Sequence, residues 1–285
     1  RTPKQYDAPY LRNRVSLQRI LQDAKLWASD SLRVYLVIGP PGVGKSEFVI
    51  WLASQLALPV YRLCLSSPTL TDDRLAQLLS QSSIREDAVV MQVDEFQGTL
   101  QRWLAGPGDK ELRGVTAGGF CECLQGSAAM GRGVVVLSIT GGIIDDQVRC
   151  QFAAVFRRVH VTAQLDWMSL QDIKQFFRQF VVRFAPDTPQ QERSYWEDRF
   201  VAEESPWNGS RPISVDMLKK YLMWRITEAS CASLGTFTAG GTFEAHPNMR
   251  RQFFELLCSA EEAVAYLHDY APVQAHARFA YHPSV

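Results

Sequence analysis

The sequence predicts an α/β protein, with a parallel sheet of five strands flanked by helices and a small C-terminal helical lid. Between residues 34 and 165, short apolar runs typical of buried parallel strands alternate with helix-length segments. A glycine-rich sequence with the pattern G-x-x-x-x-G-K-[ST] lies directly between the first such strand and the first such helix. Beyond residue 169, apolar and aromatic residues recur at helical spacing.

Length and composition limit the possible architectures and partners. The 285 residues, 46% of them hydrophobic, allow one large or two modest domains. Thirty basic and thirty acidic side chains cancel, so no global field attracts nucleic acid or an anionic membrane, and we expect no nucleic-acid partner. Six scattered cysteines predict reduced thiols in a reducing compartment.

We expect four regions along the chain. They are an N-terminal arm and lead-in helix (1–33), a nucleotide-binding α/β domain (34–165), a helical lid (166–230), and a linker with a C-terminal helical extension (231–285). The lead-in helix is indicated by apolar residues at helical spacing, namely Val15, Leu17, Ile20, Leu21, Ala24, Leu26 and Trp27. The chain starts at Arg1, so we expect a fragment or a processed form. No apolar run approaches membrane-spanning length, so membrane attachment would need a segment absent from this chain.

The first strand, 34–38, leads into the phosphate loop, and a helix follows over 46–56. The glycines let backbone N–H groups point at phosphate oxygens, and the helix adds the positive end of its dipole. Lys45 is expected to reach the β- and γ-phosphates, and the Ser46 hydroxyl to bind Mg²⁺. The predicted nucleotide-binding residues are Gly39, Pro40, Pro41, Gly42, Val43, Gly44, Lys45, Ser46, Glu47 and, from the third strand, Asp94.

The second and third strands are predicted at 60–65 and 88–93. Thr71 is a plausible N-cap for the helix between them, which begins with two acidic residues. The third strand ends in Asp94 and Glu95, where a carboxylate would stand across from the phosphate loop. Asp94 is therefore expected to orient the Mg²⁺ shell together with Ser46, and Glu95 to activate the attacking water. Gln92 interrupts the apolar run of this strand.

Residues 97–120 are rich in glycine and include Trp103, Lys110 and Arg113. We interpret them as a mobile surface loop that could face a pore or a partner; a plain connector is an equal alternative. A helix over 120–129 then leads to the fourth strand, 134–139. A polar residue at the end of that strand would lie between the phosphate loop and the acidic pair, so Thr140 is the candidate sensor of the γ-phosphate or lytic water, with Ser138 second.

A helix is expected to open at residues 145–146, and the segment 152–161 to carry the fifth strand. Three nearby cations, Arg149, Arg157 and Arg158, are candidates for an arginine finger that stabilises charge on the phosphoryl group of a neighbouring subunit. Each could equally be a surface ion-pair residue.

Lid helices are predicted from apolar stripes over 170–181, 195–200 and 214–229, with Ser214 as the N-cap of the third. We interpret these stripes as packing surfaces. A glycine- and threonine-rich linker is expected over 230–248, followed by short helices around 253–257 and 263–267.

The order of phosphate loop, Asp-Glu pair, sensor strand, arginines and helical lid resembles that of the AAA+ ATPases. The segments LSSPTLTDDRLAQLL (65–79), VTAGGFCECLQGS (115–127) and PISVDMLKKYL (212–222) are similar to those of the mitochondrial AAA proteins that assemble respiratory complex III by translocating the folded Rieske iron–sulfur subunit. The resemblance covers roughly residues 10–230.

The resemblance implies a ring-forming ATPase that uses ATP and Mg²⁺ to remodel or move a protein client, located at the mitochondrial inner membrane. Lys45, Glu95, Thr140, Arg157 and Arg158 would then be the catalytic residues. The chain departs from the family at Thr140, where asparagine is usual, and in the placement of Arg157 and Arg158. A nucleotide-switched binding module with weak turnover and a nucleic-acid-dependent motor remain as alternatives.

Overall fold

The computed structural model describes residues 14–28, 30–67, 69–84, 88–105, 114–125, 132–141, 144, 146–238 and 243–275. The chain forms two compact units, which divide between Leu165 and Asp166. Each unit has its own core, and they are described in turn.

The first unit is built on a five-stranded parallel sheet, as predicted. Its strands are β1 (Leu32–Gly39), β2 (Val60–Leu63), β3 (Val89–Val93), β4 (Gly133–Thr140) and β5 (Val161–Gln164). They are arranged in the order β2-β3-β4-β1-β5. Because the strands are parallel, their carboxyl ends lie at one edge of the sheet, with the end of β4 between those of β3 and β1.

Seven helices accompany these strands within the described part of the unit. They are α1 (Val15–Trp27), α2 (Lys45–Leu56), α3 (Asp72–Ile84), α4 (Phe96–Ala105), α5 (Ala117–Gln125), α6 (Asp146–Gln151) and α7 (Ala153–Phe156). The central strands are buried on both faces, which explains why their sequences are continuously apolar instead of alternating. The predicted N-cap of α3 is confirmed, because the Arg74 backbone N–H donates to the Thr71 hydroxyl at 3.3 Å.

Two predictions for this unit were wrong. The segment 97–120 is not one loop, because α4 occupies its first part and α5 begins at Ala117. Residues 106–113, which include Lys110 and Arg113, lie outside the described residues. The fifth strand does not lie in 152–161 but begins at Val161. Apolar residues at 152, 155 and 156 have helical spacing, and Phe152 and Val155 are buried in the core from α7 and the residue before it.

The lead-in helix α1 is tied to the sheet by a half-buried polar group. Asp23 accepts two hydrogen bonds from the Arg33 guanidinium, at 2.7 and 2.8 Å, and one from the Tyr35 hydroxyl at 2.7 Å. Burial would raise the pKa of Asp23, but these hydrogen bonds outweigh it and hold the pKa below its usual value. Of the predicted apolar stripe, four residues are buried, whereas Val15, Leu26 and Trp27 are exposed.

The second unit consists mainly of helices, as the apolar stripes predicted. Its first three helices are α8 (Leu170–Phe184), α9 (Gln190–Phe200) and α10 (Val215–Cys231). Ser169 caps α8 in a reciprocal capping box with Asp172, and the predicted cap of α10 is confirmed by a 3.1 Å bond from the Met217 N–H to the Ser214 hydroxyl. Most residues of the predicted apolar stripes are packed as core, although Leu170 and Tyr195 are exposed. Phe177 stacks on Phe200 with ring centroids 4.2 Å apart.

The segment expected to be a linker contains a β-hairpin instead. Strands β6 (Gly235–Phe237) and β7 (Phe243–Ala245) pair antiparallel, and Phe243 is fully buried against Phe253. A short 3₁₀ turn, Pro247–Met249, leads to α11 (Arg250–Leu257) and α12 (Ala260–Ala275). The threonines and glycines suggested a linker, but Phe243 anchors the hairpin to the helical unit, whereas Phe237 is exposed.

All six cysteines are free thiols. Among the described residues, no helix combines the length and apolar character needed to cross a bilayer.

Candidate active site

The phosphate loop joins β1 to α2 and depends on two glycines with left-handed backbone conformations. Gly42 has a φ of 74°, and Gly44 has a φ of 98° at the N-cap of α2. A side chain in either position would strain the backbone. The loop therefore turns tightly into the helix, and its N–H groups and the helix N-terminus are available for an anion.

Gly39 at the end of β1 is required for a different reason, because the neighbouring chain leaves no room for a side chain. A Cβ atom there would lie 2.4 Å from the backbone oxygen of Leu165 and 3.1 Å from the Val43 side chain. The Gly39 carbonyl also accepts a hydrogen bond from the Gly141 N–H at 3.2 Å. The start of the loop is thus fixed by the segments that follow β4 and β5.

The Lys45 ammonium is held by the loop that precedes it. It donates to the carbonyl oxygens of Gly39 and Pro40, both at 2.8 Å. Burial lowers the pKa of Lys45 to about 8, although the negative charges of Asp94 and Glu95 act in the opposite direction. A partly desolvated cation close to two carboxylates is suited to binding the terminal phosphates of a nucleotide.

The acidic pair is brought to the phosphate loop as the sequence predicts. Asp94 Oδ1 lies 3.4 Å from the Ser46 hydroxyl, which donates to it. Asp94 and Glu95 are both exposed at the carboxyl end of β3. Glu95 has a φ of 51°, a left-handed conformation that is uncommon for a residue other than glycine, asparagine or aspartate. Such backbone strain is concentrated at functional sites, and here it turns the chain from β3 into α4.

Gln92 forms a hydrogen bond with Asp94 from the interior of the sheet. Its side chain is fully buried, and its amide nitrogen donates to Asp94 Oδ2 at 2.6 Å. Its amide oxygen accepts from no protein donor in the described part of the chain. A buried acceptor without a partner costs about 1–3 kcal/mol, so Gln92 is a poor choice for strand stability alone.

Thr140 lies between the loop and the acidic pair, at the end of β4 and opposite Gly39 in the sheet register. Its N–H donates to the side-chain oxygen of Gln97, at the start of α4, at 3.1 Å. Ser138, the second candidate sensor, is 2% exposed, and its hydroxyl has no partner among the described residues. Thr140, half-buried at the strand end, is therefore better placed than Ser138 to reach a ligand.

The three candidate arginines lie on or directly after α6 and α7. Arg149 and Arg157 are exposed. Arg158 is partly buried, and one of its terminal nitrogens donates to the carbonyl of Ala154 in the preceding helix, α7. Arg149 lines a small cavity of about 160 Å³ with Phe156 and Thr162. The structure does not bring these cations to the chain's own acidic pair through any contact among the described residues.

Two glutamines in this site were not assigned a role by the sequence. Gln92 was visible only as an interruption of an apolar strand, a signal that identifies a buried polar side chain but not its partner. Gln97 gave no signal, because its contact with Thr140 depends on how α4 packs beside β4.

The donor set fits ATP with Mg²⁺. The loop amides and Lys45 are suited to the phosphates, and a serine hydroxyl next to a carboxylate provides the hard oxygen ligands that Mg²⁺ prefers. Among the described residues, no cluster of three or more His, Cys, Asp or Glu side chains offers an all-protein metal site.

Fold and site together define an AAA-type P-loop ATPase domain. Residues 35–154 match the family described as "ATPase family associated with various cellular activities (AAA)". The match extends over the nucleotide-binding part of the chain and confirms there the resemblance to the AAA ATPases that the sequence predicted.

The chain is similar to proteins named mitochondrial chaperone BCS1. It is 34% identical over 109 residues to the protein of Bos taurus, an alignment that spans 37% of this chain and 26% of the relative. The probable mitochondrial chaperone bcs1 of Schizosaccharomyces pombe is 43% identical over 67 residues, or 23% of this chain and 15% of the relative. The alignments thus span about a quarter or less of the relatives' length.

The fold is also similar to that of the ORC2 protein of Aeropyrum pernix, solved as ADPNP-ADP complexes. The TM-score is 0.58 at 15% identity, over 90% of this chain and 71% of that one. This likeness confirms the fold class only.

Proposed function

We propose that this protein hydrolyses ATP in an Mg²⁺-dependent reaction and uses the associated motion to remodel or translocate a protein client. The observation that carries the proposal is the meeting of phosphate loop and acidic pair, with Asp94 3.4 Å from the Ser46 hydroxyl. The similarity to the BCS1 chaperones supports a protein client, and by the same similarity we propose a ring of identical subunits and a mitochondrial location.

Each residue has a defined task in this reaction. The loop amides and Lys45 bind the triphosphate, while Ser46 and Asp94 hold Mg²⁺, which when bound neutralises phosphate charge. Glu95 takes the proton from the attacking water. Thr140, at the end of β4, orients that water or the γ-phosphate.

The experiment compares Lys45→Ala and Glu95→Gln with the unmodified chain. Lys45→Ala removes the ammonium group that is proposed to bind the phosphates. The affinity for a fluorescent ATP analogue should therefore fall at least about tenfold. Glu95→Gln retains the shape of the side chain but cannot accept the proton, so binding should persist while turnover falls about 10²–10⁴-fold. Binding is measured by fluorescence titration and turnover by phosphate release.

Lys174→Ala is the matched control, because Lys174 forms an ion pair with Asp198 in the second unit and has no part in the site. It should bind and hydrolyse like the unmodified chain. Unchanged nucleotide affinity in Lys45→Ala would contradict the site assignment.

A nucleotide-switched binding module with weak turnover is the second candidate. The observation that favours it is threonine at the sensor position, because a threonine hydroxyl is shorter than the asparagine amide usual in the resembled family. If the unmodified chain and Glu95→Gln release phosphate equally slowly while both bind ATP, this candidate replaces the first.

A nucleic-acid motor is disfavoured by the zero net charge. Stimulation of ATP hydrolysis by single-stranded nucleic acid would support it. For the arginine finger we propose Arg157 or Arg158, acting on the site of the next subunit, with Arg149 as a further candidate.

A further inference from the structure

A buried hydrogen bond links the interior of the sheet to the acidic pair. Asp94 directly follows β3, two residues after Gln92, and the hydrogen bond between the two side chains shows that they lie on the same side of the sheet. The Gln92 amide donates to Asp94 Oδ2 at 2.6 Å, which leaves Oδ1 towards the Ser46 hydroxyl. The two carboxylate oxygens thus have separate partners, one in the core and one in the phosphate loop.

This contact restrains a side chain that is otherwise exposed. Asp94 lies at a strand end, where its carboxylate can rotate into solvent. A hydrogen bond from a neutral amide to a carboxylate is short and strong. Gln92 is fully buried in a packed strand, so its amide is held in place. Rotation of the Asp94 carboxylate would therefore break the hydrogen bond.

The same residue is poorly explained by packing. Its neighbours in the sheet register are Arg62 on β2 and Val136 on β4. An apolar side chain of equal size would fill this position without leaving the amide oxygen unpartnered. The residue therefore has a structural cost and one specific polar contact, which is with Asp94.

We propose that Gln92 is a positioning residue that holds the Asp94 carboxylate in the orientation needed to bind Mg²⁺ with the nucleotide. The inference rests on the proposed function, because it assigns Asp94 to the Mg²⁺ shell. Residues that orient a metal ligand from behind contribute about 10–100-fold to metal affinity. Gln92 contributes in this way to Mg²⁺ and leaves the metal-free affinity for the triphosphate unchanged.

The experiment measures binding of a fluorescent ATP analogue to the full chain, first in EDTA and then in a titration with Mg²⁺. In Gln92→Leu, the half-saturating Mg²⁺ concentration should rise about 10-fold or more, while affinity in EDTA stays within about twofold. Gln92→Met, which is unbranched and of similar length, provides a second variant if the leucine does not fold. The melting temperature of either variant should equal or exceed that of the unmodified chain.

Met91→Leu is the matched control, because Met91 is the adjacent buried residue of β3 and its side chain belongs to the opposite face of the sheet. It perturbs the same strand without touching Asp94, so its Mg²⁺ titration should match that of the unmodified chain.

The outcomes separate this inference from the proposed function. An unchanged Mg²⁺ titration in both Gln92 variants overturns the inference and leaves the proposed function intact. A lower melting temperature with equal loss of affinity in EDTA and in Mg²⁺ also overturns it, because the residue would then be only structural. If the unmodified chain binds no nucleotide under either condition, the proposed function fails and the inference with it.

Discussion

At the scale of single residues, the phosphate loop is controlled by backbone space as much as by charge. Lys45 and Ser46 provide the chemistry, but their positions follow from the tight path of the chain through Gly39, Gly42 and Gly44. At Gly39 the limiting contact is with the backbone oxygen of Leu165, an atom that cannot rotate away. The first residue of the loop is therefore sensitive to even one added carbon.

We predict that Gly39→Ala destabilises the protein by about 1–3 kcal/mol, because a Cβ atom 2.4 Å from the Leu165 oxygen forces the backbone to move. The measurement is urea denaturation at equilibrium. Gly98→Ala in α4 is the control, since no atom lies within 4 Å of the added carbon. It should be neutral or stabilising by up to about 1 kcal/mol. Equal stability of the two variants would show that the space at Gly39 is not limiting.

The residue scale also shows what a sequence can predict about the site. Within the phosphate loop, and within the strand that ends in Asp-Glu, the residues have a fixed spacing. Lys45, Ser46, Asp94 and Glu95 could therefore be identified from these two motifs. The side chains that support them come from neighbouring strands and helices, and their partners depend on register. Gln97 in α4 reaches Thr140 in β4, 43 positions later, and no local pattern predicts such a pair.

At the scale of elements, α3 and α5 are joined by one carboxylate. Asp72 at the start of α3 accepts from the Thr116 N–H at 2.8 Å and from the Thr116 hydroxyl at 2.7 Å. The Thr116 hydroxyl in turn accepts from the Gly119 N–H at 3.0 Å, which caps α5. Two of the segments that resemble the mitochondrial AAA proteins, 65–79 and 115–127, are thus in direct contact.

Gly119 is needed at this junction because the Asp72 carboxylate occupies the space of its side chain. A Cβ atom there would lie 2.1 Å from the carboxylate carbon. We predict that Gly119→Ala costs about 1–3 kcal/mol by displacing Asp72 from Thr116. In an Asp72→Ala background the same change should cost much less, which a double-mutant cycle in urea measures as a coupling of about 0.5–3 kcal/mol.

Gly118→Ala provides the internal control for this cycle. Its added carbon would meet only the Thr116 hydroxyl, at 4.0 Å, so the change should be tolerated. Additive effects of Gly119→Ala and Asp72→Ala would contradict the proposed junction.

Predictions of elements from the sequence succeeded where length and periodicity agreed. The central strands and the helices α2, α8 and α10 were placed correctly because each has one consistent apolar pattern. The region 152–161 combines β-branched and aromatic residues, which favour a strand, with helical spacing. The structure follows the spacing, because residues 153–156 form α7. In α4, the glycine at 98 obscured a helix whose apolar face is packed into the core.

At the scale of the whole molecule, the C-terminal residues complete the core of the second unit. Tyr221 in α10 donates to the carbonyls of Leu257 and Ser259, which lie at the end of α11 and just beyond it. Trp196 in α9 stacks on Phe254 with centroids 5.2 Å apart. The sequence predicted a linker and a C-terminal helical extension. The contacts of these helices with α9 and α10 join residues far apart in the chain, and composition does not reveal such contacts. The helices after the hairpin are therefore part of one compact unit with α8 to α10.

Arg225 in α10 forms a buried contact with α11. Its side chain is only 6% exposed; Nε and Nη2 donate to the Leu256 carbonyl at 2.9 and 2.8 Å, and Nη1 pairs with Glu228. We predict that Arg225→Met lowers the free energy of unfolding by about 1–3 kcal/mol, because the Leu256 carbonyl loses a charged donor.

Arg251→Met is the comparison for Arg225, since Arg251 pairs with Glu255 on the surface of α11 and its side chain is 84% exposed. Exposed pairs of this kind contribute little, so the change should stay within about 0.5 kcal/mol. Both variants are measured by urea denaturation monitored through tryptophan fluorescence, to which this unit contributes Trp167, Trp196, Trp207 and Trp224. Equal effects would mean that Arg225 does not hold α11 against α10, whereas a large difference would establish that the C-terminal helices stabilise the second unit through this buried cation.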